Sequence, residues 1–282
     1  MSTAFVLSGG AALGAAQVGM LKALNANGIT PDLIVGASVG AINGGWIAGD
    51  GGAVGLAGLE YLWKGLHRSD VFPARPLPGL MGFLGHRRNL VPNSGLRSLL
   101  TDHLRFKLLE EASIPLHVIV TDVLSGEDVR MSTGPAVETI LASASIPAVF
   151  PPVRLGDRYF VDGGVLNNTP ISHAVALGAD TIWVLPTGYA CALSEPPRGA
   201  LAMALHALTL TINQRLAVDV ARYEGHVDLR VVPPLCPVRS SPADFSQADD
   251  LIERTYLGTS AWLSSRHPTA GQAGLLLHPH RH

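Results

Sequence analysis

The chain has 282 residues, 47% hydrophobic and only 15% charged, with a formal net charge of −2 and an isoelectric point near 6.6. That balance suits one large globular domain with an extensive core, and it leaves no basic footprint for nucleic acid. The two cysteines, Cys191 and Cys236, sit far apart without C-x-x-C spacing, so they read as buried free thiols of a reducing compartment rather than a disulfide framework.

Met1 to Leu7 lacks the basic start and long apolar stretch of a secretory signal and reads as a first strand over Ala4–Leu7. No run of about 18 or more apolar residues suggests a membrane-spanning helix. A cytoplasmic protein, with transient contact to a membrane surface, is the expectation. Ser8 to Gly14 is a glycine-rich turn, and Ala15 to Asn27 a helix with Val18, Leu21 and Leu24 on one face, stopped by Gly28. The turn lacks the middle glycine of a dinucleotide fingerprint, because Ala11 stands there, and it lacks the Gly-Lys-Ser/Thr ending of a P-loop. Two readings stay open: a tight turn without a ligand, or a cradle of main-chain N–H groups for an oxyanion.

Pro31 to Val35 is a second buried strand, followed by Gly36-Ala37-Ser38-Val39-Gly40 and a small-residue helix from Ala41 to Ala48. Serine between strand and helix, with glycines two residues away on each side, matches a nucleophile elbow. The other reading is a glycine-rich turn with serine as helix cap. The repeated strand–turn–helix order predicts a parallel α/β sheet covered on both faces.

Residues 54–66 continue as helix. Residues 67–93 form a long loop of prolines, glycines and scattered apolar residues, with His86-Arg87-Arg88 near its end, which reads either as a lid over a site or as a surface excursion. Ser94–Leu108 is predicted helical, Leu116–Asp122 a strand, and Asp128–Met131 its hairpin partner. A short helix over Pro135–Ser143 precedes the irregular Ser145–Pro152 stretch. Tyr159-Phe160-Val161 is a strand ending in Asp162-Gly163-Gly164, an acid at a strand terminus, where open α/β sheets bind ligands. An ordinary Asp-Gly turn is the alternative. A helix capped by Thr169 with Pro170 in its first turn, a strand at Asp180–Leu185, a helix at Leu201–Val220, a strand at Val227–Val232 and a helix at Gln247–Ser264 complete a single domain over 1–265. Residues 266–282 read as a flexible tail, in which His278, His280 and His282 could in principle bind a metal, a frayed terminus being the favoured reading. A serine hydrolase triad in the order Ser-Asp-His would need His173, His206 or His226, and no local feature selects one.

Four segments in order, Ser8-Gly9-Gly10-Ala11-Ala12-Leu13-Gly14 running on to Leu24, Gly36-Ala37-Ser38-Val39-Gly40, Ala144-Ser145-Ile146-Pro147 with Phe150-Pro151-Pro152, and Asp162-Gly163-Gly164, resemble the patatin-like phospholipase family. The resemblance runs from the first strand to about Leu185. It implies a three-layer α/β/α sandwich with a mostly parallel central sheet, and a lipid acyl hydrolase using a Ser-Asp dyad without histidine. Carried over by position, Ser38 is the nucleophile and Asp162 its proton acceptor. Gly9, Gly10, Ala11 and Gly14 span the oxyanion loop, and Gly36, Gly40, Gly163 and Gly164 are motif glycines. No cofactor or metal is implied, and the partner is a lipid or other ester substrate.

Two residues depart from the family pattern. Ala11 replaces the loop's third glycine, which keeps the N–H if the local dihedrals suit alanine. Leu13 replaces a basic residue that could hold the loop or an anionic head group. Leu13 also keeps open a non-catalytic lipid-binding or regulatory protein on the same fold. Peptide-bond hydrolysis is neither motivated nor excluded, and acyl length, head group and oligomeric state are not set by the sequence.

Overall fold

The computed structural model describes residues 1–72, 91–188, 195–235 and 241–265. The central part of the 67–93 loop, both cysteines and the 266–282 tail with its three histidines lie outside the described residues.

The strands are β1 (Thr3–Leu7), β2 (Leu33–Ala37), β3 (Leu116–Asp122), β4 (Asp128–Met131), β5 (Val153–Leu155), β6 (Arg158–Asp162), β7 (Thr181–Leu185) and β8 (Asp228–Val231). They join one sheet in hydrogen-bonded order β5-β6-β3-β2-β1-β7-β8, with β4 also on β3. The run β3-β2-β1-β7-β8 is parallel, whereas β4, β5 and β6 pair antiparallel. The sheet is therefore mixed and mostly parallel, flanked by helices, as expected.

Strand alternation explains the two covered faces. Phe5 and Leu7 enter one core with α1 (Ala15–Ala26), α2 (Val39–Gly49) and α3 (Ala53–Gly65). Ala4 and Val6 enter the other, against the helix Ile171–Ala176 and the C-terminal half of the helix Ala200–Tyr223. Successive side chains point to opposite faces, so a strand apolar at every position can only be buried on both. The closing helix, Ala248–Ser264, lies so close to α1 that a Cβ on Gly19 would meet the Ile252 carbonyl at 2.2 Å. No helix among the described residues is long and apolar enough to cross a membrane.

Several boundaries differ from expectation. The helix expected over 94–108 ends at His103, because the chain turns inward there to bury Phe106 and Leu109. Ala11–Gly14 forms a 3₁₀ turn inside the glycine loop. The helix after Asp162-Gly163-Gly164 starts at Ile171 with Pro170 as its cap, and no side chain caps it, Thr169 included. A short helix at Gly164–Asn167 and strand β5 had no periodic signal.

β1 lies between β2 and β7, where the order of the parallel strands reverses direction. The carboxyl ends of strands open a crevice at such a point, and Ser8-Gly9-Gly10 and Ser38 follow directly from the ends of β1 and β2.

Candidate active site

Ser38 sits at φ 54° and ψ −127°, a conformation a side chain adopts only under constraint. The two flanking glycines make it sterically feasible. A Cβ on Gly36 would lie 2.5 Å from the Gly40 carbonyl oxygen, and one on Gly40 would lie 2.1 Å from the Leu7 carbonyl oxygen. The elbow reading of the motif therefore describes the observed turn: the chain doubles back hard against β1, and only glycine fits on either side of the serine.

Sheet register brings Asp162 to this turn. On β3, Val118 and Ile119 pair with β2 and with β4, while Val120 and Thr121 pair with β4 and with β6. Since β4 occupies one edge of β3, β2 and β6 must share the other, end to end. Ile119 pairs with Ala37, and its neighbour Val120 pairs with Asp162. β6 runs opposite to β2, so the two strands meet at their carboxyl ends. Residues 124 positions apart are thus hydrogen-bonded, Ser38 Oγ donating to Asp162 Oδ2 at 2.6 Å.

The segment 143–145 secures both partners. The Ser38 N–H donates to Ser143 Oγ at 2.9 Å, and Ser143 Oγ donates to the Ile119 carbonyl at 2.6 Å. The Asp162 N–H donates to the Ser145 carbonyl at 3.0 Å. The second carboxylate oxygen of Asp162 accepts from the Gly164 N–H at 2.7 Å. Burial pushes the Asp162 carboxyl up to about 6, against the opposing pull of the bonds from Ser38 and Gly164. Ser143 carried no signal of its own in the sequence beyond adjoining Ala144-Ser145-Ile146-Pro147.

The four loop residues named from the sequence divide. The Gly9 N–H is committed to the Asn168 carbonyl at 3.1 Å. Gly14 serves packing, since a Cβ there would lie 2.4 Å from Val39 Cγ2. Gly10 and Ala11 remain, whose N–H groups have no backbone partner among the described residues. The Leu13 N–H donates to the Gly10 carbonyl at 3.1 Å, which turns the Ala11 N–H to the opposite side of that peptide. Val39, at the helix start behind Ser38, offers a further unspent N–H of the kind helix N-termini leave over. The residue after an elbow serine is a standard place to look for it.

Ala11 keeps its amide at φ 51°, the left-handed region. An alanine there costs about 1 kcal/mol relative to glycine. Ala11→Gly is therefore expected to raise the denaturant midpoint by about that free energy with an unchanged m-value, measured by equilibrium unfolding.

Leu13 packs against the core instead of reaching for an anion. The loop is tied from behind by a buried polar chain. Trp63 Nε1 donates to Asn43 Oδ1 at 2.9 Å, and Asn43 Nδ2 to Gln17 Oε1 at 2.9 Å and to the Gly14 carbonyl at 3.0 Å. Gln17 Nε2 donates to the carbonyls of Ser8 and Leu185, both at 2.9 Å. Both ends of the glycine loop are held by these side chains.

In front of Ser38 lies a narrow cleft with about 60 Å³ free inside, lined by Ala11, Val39, Ile42, Trp46, Leu59, Trp63, Phe72, Leu96, Ile146, Phe150 and Phe245, among others, all apolar or aromatic. Phe72 stacks on Phe150 with centroids 5.4 Å apart, and Trp63 on Phe245 at 6.1 Å. Both indole donors in the wall are spent, Trp63 on Asn43 and Trp46 on the Gly55 carbonyl at 2.8 Å. Among the described residues, Ser38 is the one hydroxyl among otherwise apolar side chains of the cleft.

His173 Nε2 lies 3.0 Å from Asp128 Oδ1, His206 is on the Ala200–Tyr223 helix, and His226 is exposed in the turn after it. The side-chain bonds of Ser38 and Asp162 run to each other and to the Gly164 N–H, and to none of these rings. Among the described residues no group of three or more His, Cys, Asp or Glu is placed to hold a metal ion.

Comparison with known proteins places residues 5–175, more than half of the chain, under the family model described as patatin-like phospholipase. The chain is 30% identical over 189 residues, 66% of its length, to lysophospholipase nte1 of Aspergillus terreus, and 30% identical over 185 residues, 65% of its length, to that of Emericella nidulans. It spans 12% of the length of each of these relatives. Superposed on the crystal structure of VipD from Legionella pneumophila, it gives a TM-score of 0.48 at 16% identity, covering 94% of this chain and 67% of that one.

Proposed function

The chain belongs to the patatin-like phospholipase family, and from that premise we propose that it hydrolyses carboxylic esters of lipids through an acyl-enzyme formed on Ser38. The observation that carries this reading is the 2.6 Å bond between Ser38 Oγ and Asp162 Oδ2 behind an apolar cleft.

In the proposed mechanism Ser38 Oγ attacks the ester carbonyl while its proton passes to Asp162. The carbonyl oxygen becomes an oxyanion and accepts from the N–H groups of Gly10 and Ala11. Asp162 returns the proton to the leaving alcohol as the C–O bond breaks, leaving the acyl group on Ser38. Water then attacks that ester, Asp162 takes its proton, and as the second tetrahedral intermediate collapses Asp162 returns that proton to Ser38 Oγ, which leaves as the hydroxyl and releases the acid. A carboxylate of ordinary pKa is a feeble base for a hydroxyl. The upward shift to about 6 brings Asp162 closer to the operating range of a general base while leaving it ionised at neutral pH. Burial thus serves the chemistry by the same effect that makes the charge costly.

Among the described residues the side chains of the cleft wall other than Ser38 are all apolar or aromatic, which supports an alkyl chain as the part of the substrate held there, since those side chains attract chiefly through apolar area removed from water. A fluorophosphonate probe tests the reading. The expected result is one covalent adduct, on the peptide containing Ser38, and turnover of nitrophenyl esters that survives His173→Ala, His206→Ala and His226→Ala within a few-fold. Loss of turnover in any one of these three folded variants would favour a triad. Lipid binding without label or turnover would favour a non-catalytic lipid-binding protein, the reading that Leu13 keeps open.

A further inference from the structure

The oxyanion role gives the Gly10 N–H a direction, and that direction follows from what holds the Gly9 carbonyl. The Gly9–Gly10 peptide is planar and trans, so its C=O and its N–H point opposite ways. The Gly9 carbonyl accepts its shortest bond from Thr187 Oγ1 at 2.7 Å, and longer ones from Asn168 Nδ2 and Ser8 Oγ, both at 3.3 Å. Thr187 is seated in turn, its N–H donating to Ser8 Oγ at 2.9 Å. Ser8 and Thr187 are both buried. A Cβ on Gly10 would lie 2.2 Å from Thr187 Oγ1, so the Thr187 side of this peptide is filled. A Cβ on Gly9 would lie 2.3 Å from Asn168 Oδ1 and 2.9 Å from Ser38 Cβ, so the loop runs directly beside the serine.

We infer that Thr187, with Asn168 as a second clamp, is a positioning residue for the reaction: by holding the Gly9 carbonyl it turns the Gly10 N–H toward the Ser38 side of the loop. The kinetic consequence rests on the ester-hydrolase reading, whereas the orientation of the amide does not. Thr187 lies just past the end of β7, and β7 pairs directly with β1. Ser8, directly after β1, and Thr187, two residues past the end of β7, thus bind each other across neighbouring parallel strands. The clamp uses neutral hydrogen bonds, and it stands in a chain that carries Leu13 where the family pattern has a cation.

Thr187→Val removes the hydroxyl at nearly constant shape, and Thr187→Ser restores it. On a short-chain nitrophenyl ester, which leaves most of the cleft empty, the valine variant is expected to lose about tenfold to a hundredfold in kcat, with KM within about twofold. That is less than the loss of an oxyanion donor outright. The serine variant is expected to recover most of it. The amide resonance of Gly10 should move in the valine variant and return in the serine variant, while amides of β8 stay in place. A valine variant with the original kcat and an unmoved Gly10 resonance would overturn the inference, as would a serine variant that restores neither. If valine prevents folding, Thr187→Ala is read by the same two measurements. If the unaltered protein turns over no ester, the hydrolase reading falls, and the Gly10 resonance alone still decides whether Thr187 orients that amide.

Discussion

Ser38→Ala is expected to bring ester turnover down by a factor on the order of 10⁴ or more, to whatever the cleft and the loop amides achieve without a nucleophile. Fluorophosphonate labelling should vanish with it. A second substitution at the same position separates chemistry from strain. Both Ser38→Ala and Ser38→Gly remove the bond to Asp162, but only glycine tolerates φ 54° without cost. The glycine variant should therefore be the more stable of the two by about 1 kcal/mol, read from denaturant midpoints, while both are equally inactive. Equal stability of the two variants would mean the elbow stores no strain at Ser38. Turnover that persists in folded Ser38→Ala would remove this serine from the mechanism.

Asp162→Asn has two expected consequences that move in opposite directions. General-base contributions are worth about 10²–10⁴-fold, and with no second base bonded to Ser38 the upper end of that range is expected in kcat. Stability should rise at neutral pH. The folded-state pKa of Asp162 is raised from 3.8 to about 6, so between those values the folded chain holds a proton that the unfolded chain has released. Its contribution to stability is fully present below about pH 4 and is lost as pH climbs through 6. Two pKa units correspond to roughly 3 kcal/mol, an upper bound on what the asparagine variant recovers at pH 7. In the unaltered protein turnover should grow with pH through about 6 while this part of the stability declines. The pH slope of stability should flatten in Asp162→Asn. An unchanged slope would show that the carboxyl is not held out of water as the structure has it.

How far the site was legible depends on whether each feature is local. Gly36 is legible because its steric demand, against the Gly40 carbonyl, acts within five residues, whereas Gly40 is legible only through the motif, since what its Cβ would meet is Leu7 on β1. The alternation that buries Phe5 and Leu7 on one face and Ala4 and Val6 on the other is legible for the same reason. The commitment of the Gly9 amide to Asn168 was not, since the partner lies 159 positions away and asparagine after an Asp-Gly-Gly turn has many uses. Thr187 was equally silent, a threonine in a loop with no pattern around it. The helix that stopped at His103 shows the limit on boundaries, because burial of Phe106 and Leu109 outweighed a sequence that could have continued as helix. The cleft is assembled from segments as distant as Val39, Phe72, Leu96, Phe150 and Phe245, and no window of sequence contains it.

From the sequence alone follow the order of the longer strands and helices, the elbow that presents Ser38, and the acid at a strand end, because backbone sterics and side-chain periodicity operate over a few residues. The tertiary structure alone decides that β2 and β6 share one edge of β3 and so bring Ser38 to Asp162. It also decides which loop amides stay unspent and how far Asp162 is withdrawn from water. Pairing and desolvation are set by groups from about forty to more than a hundred positions apart, and their energies exist only once those groups are in contact.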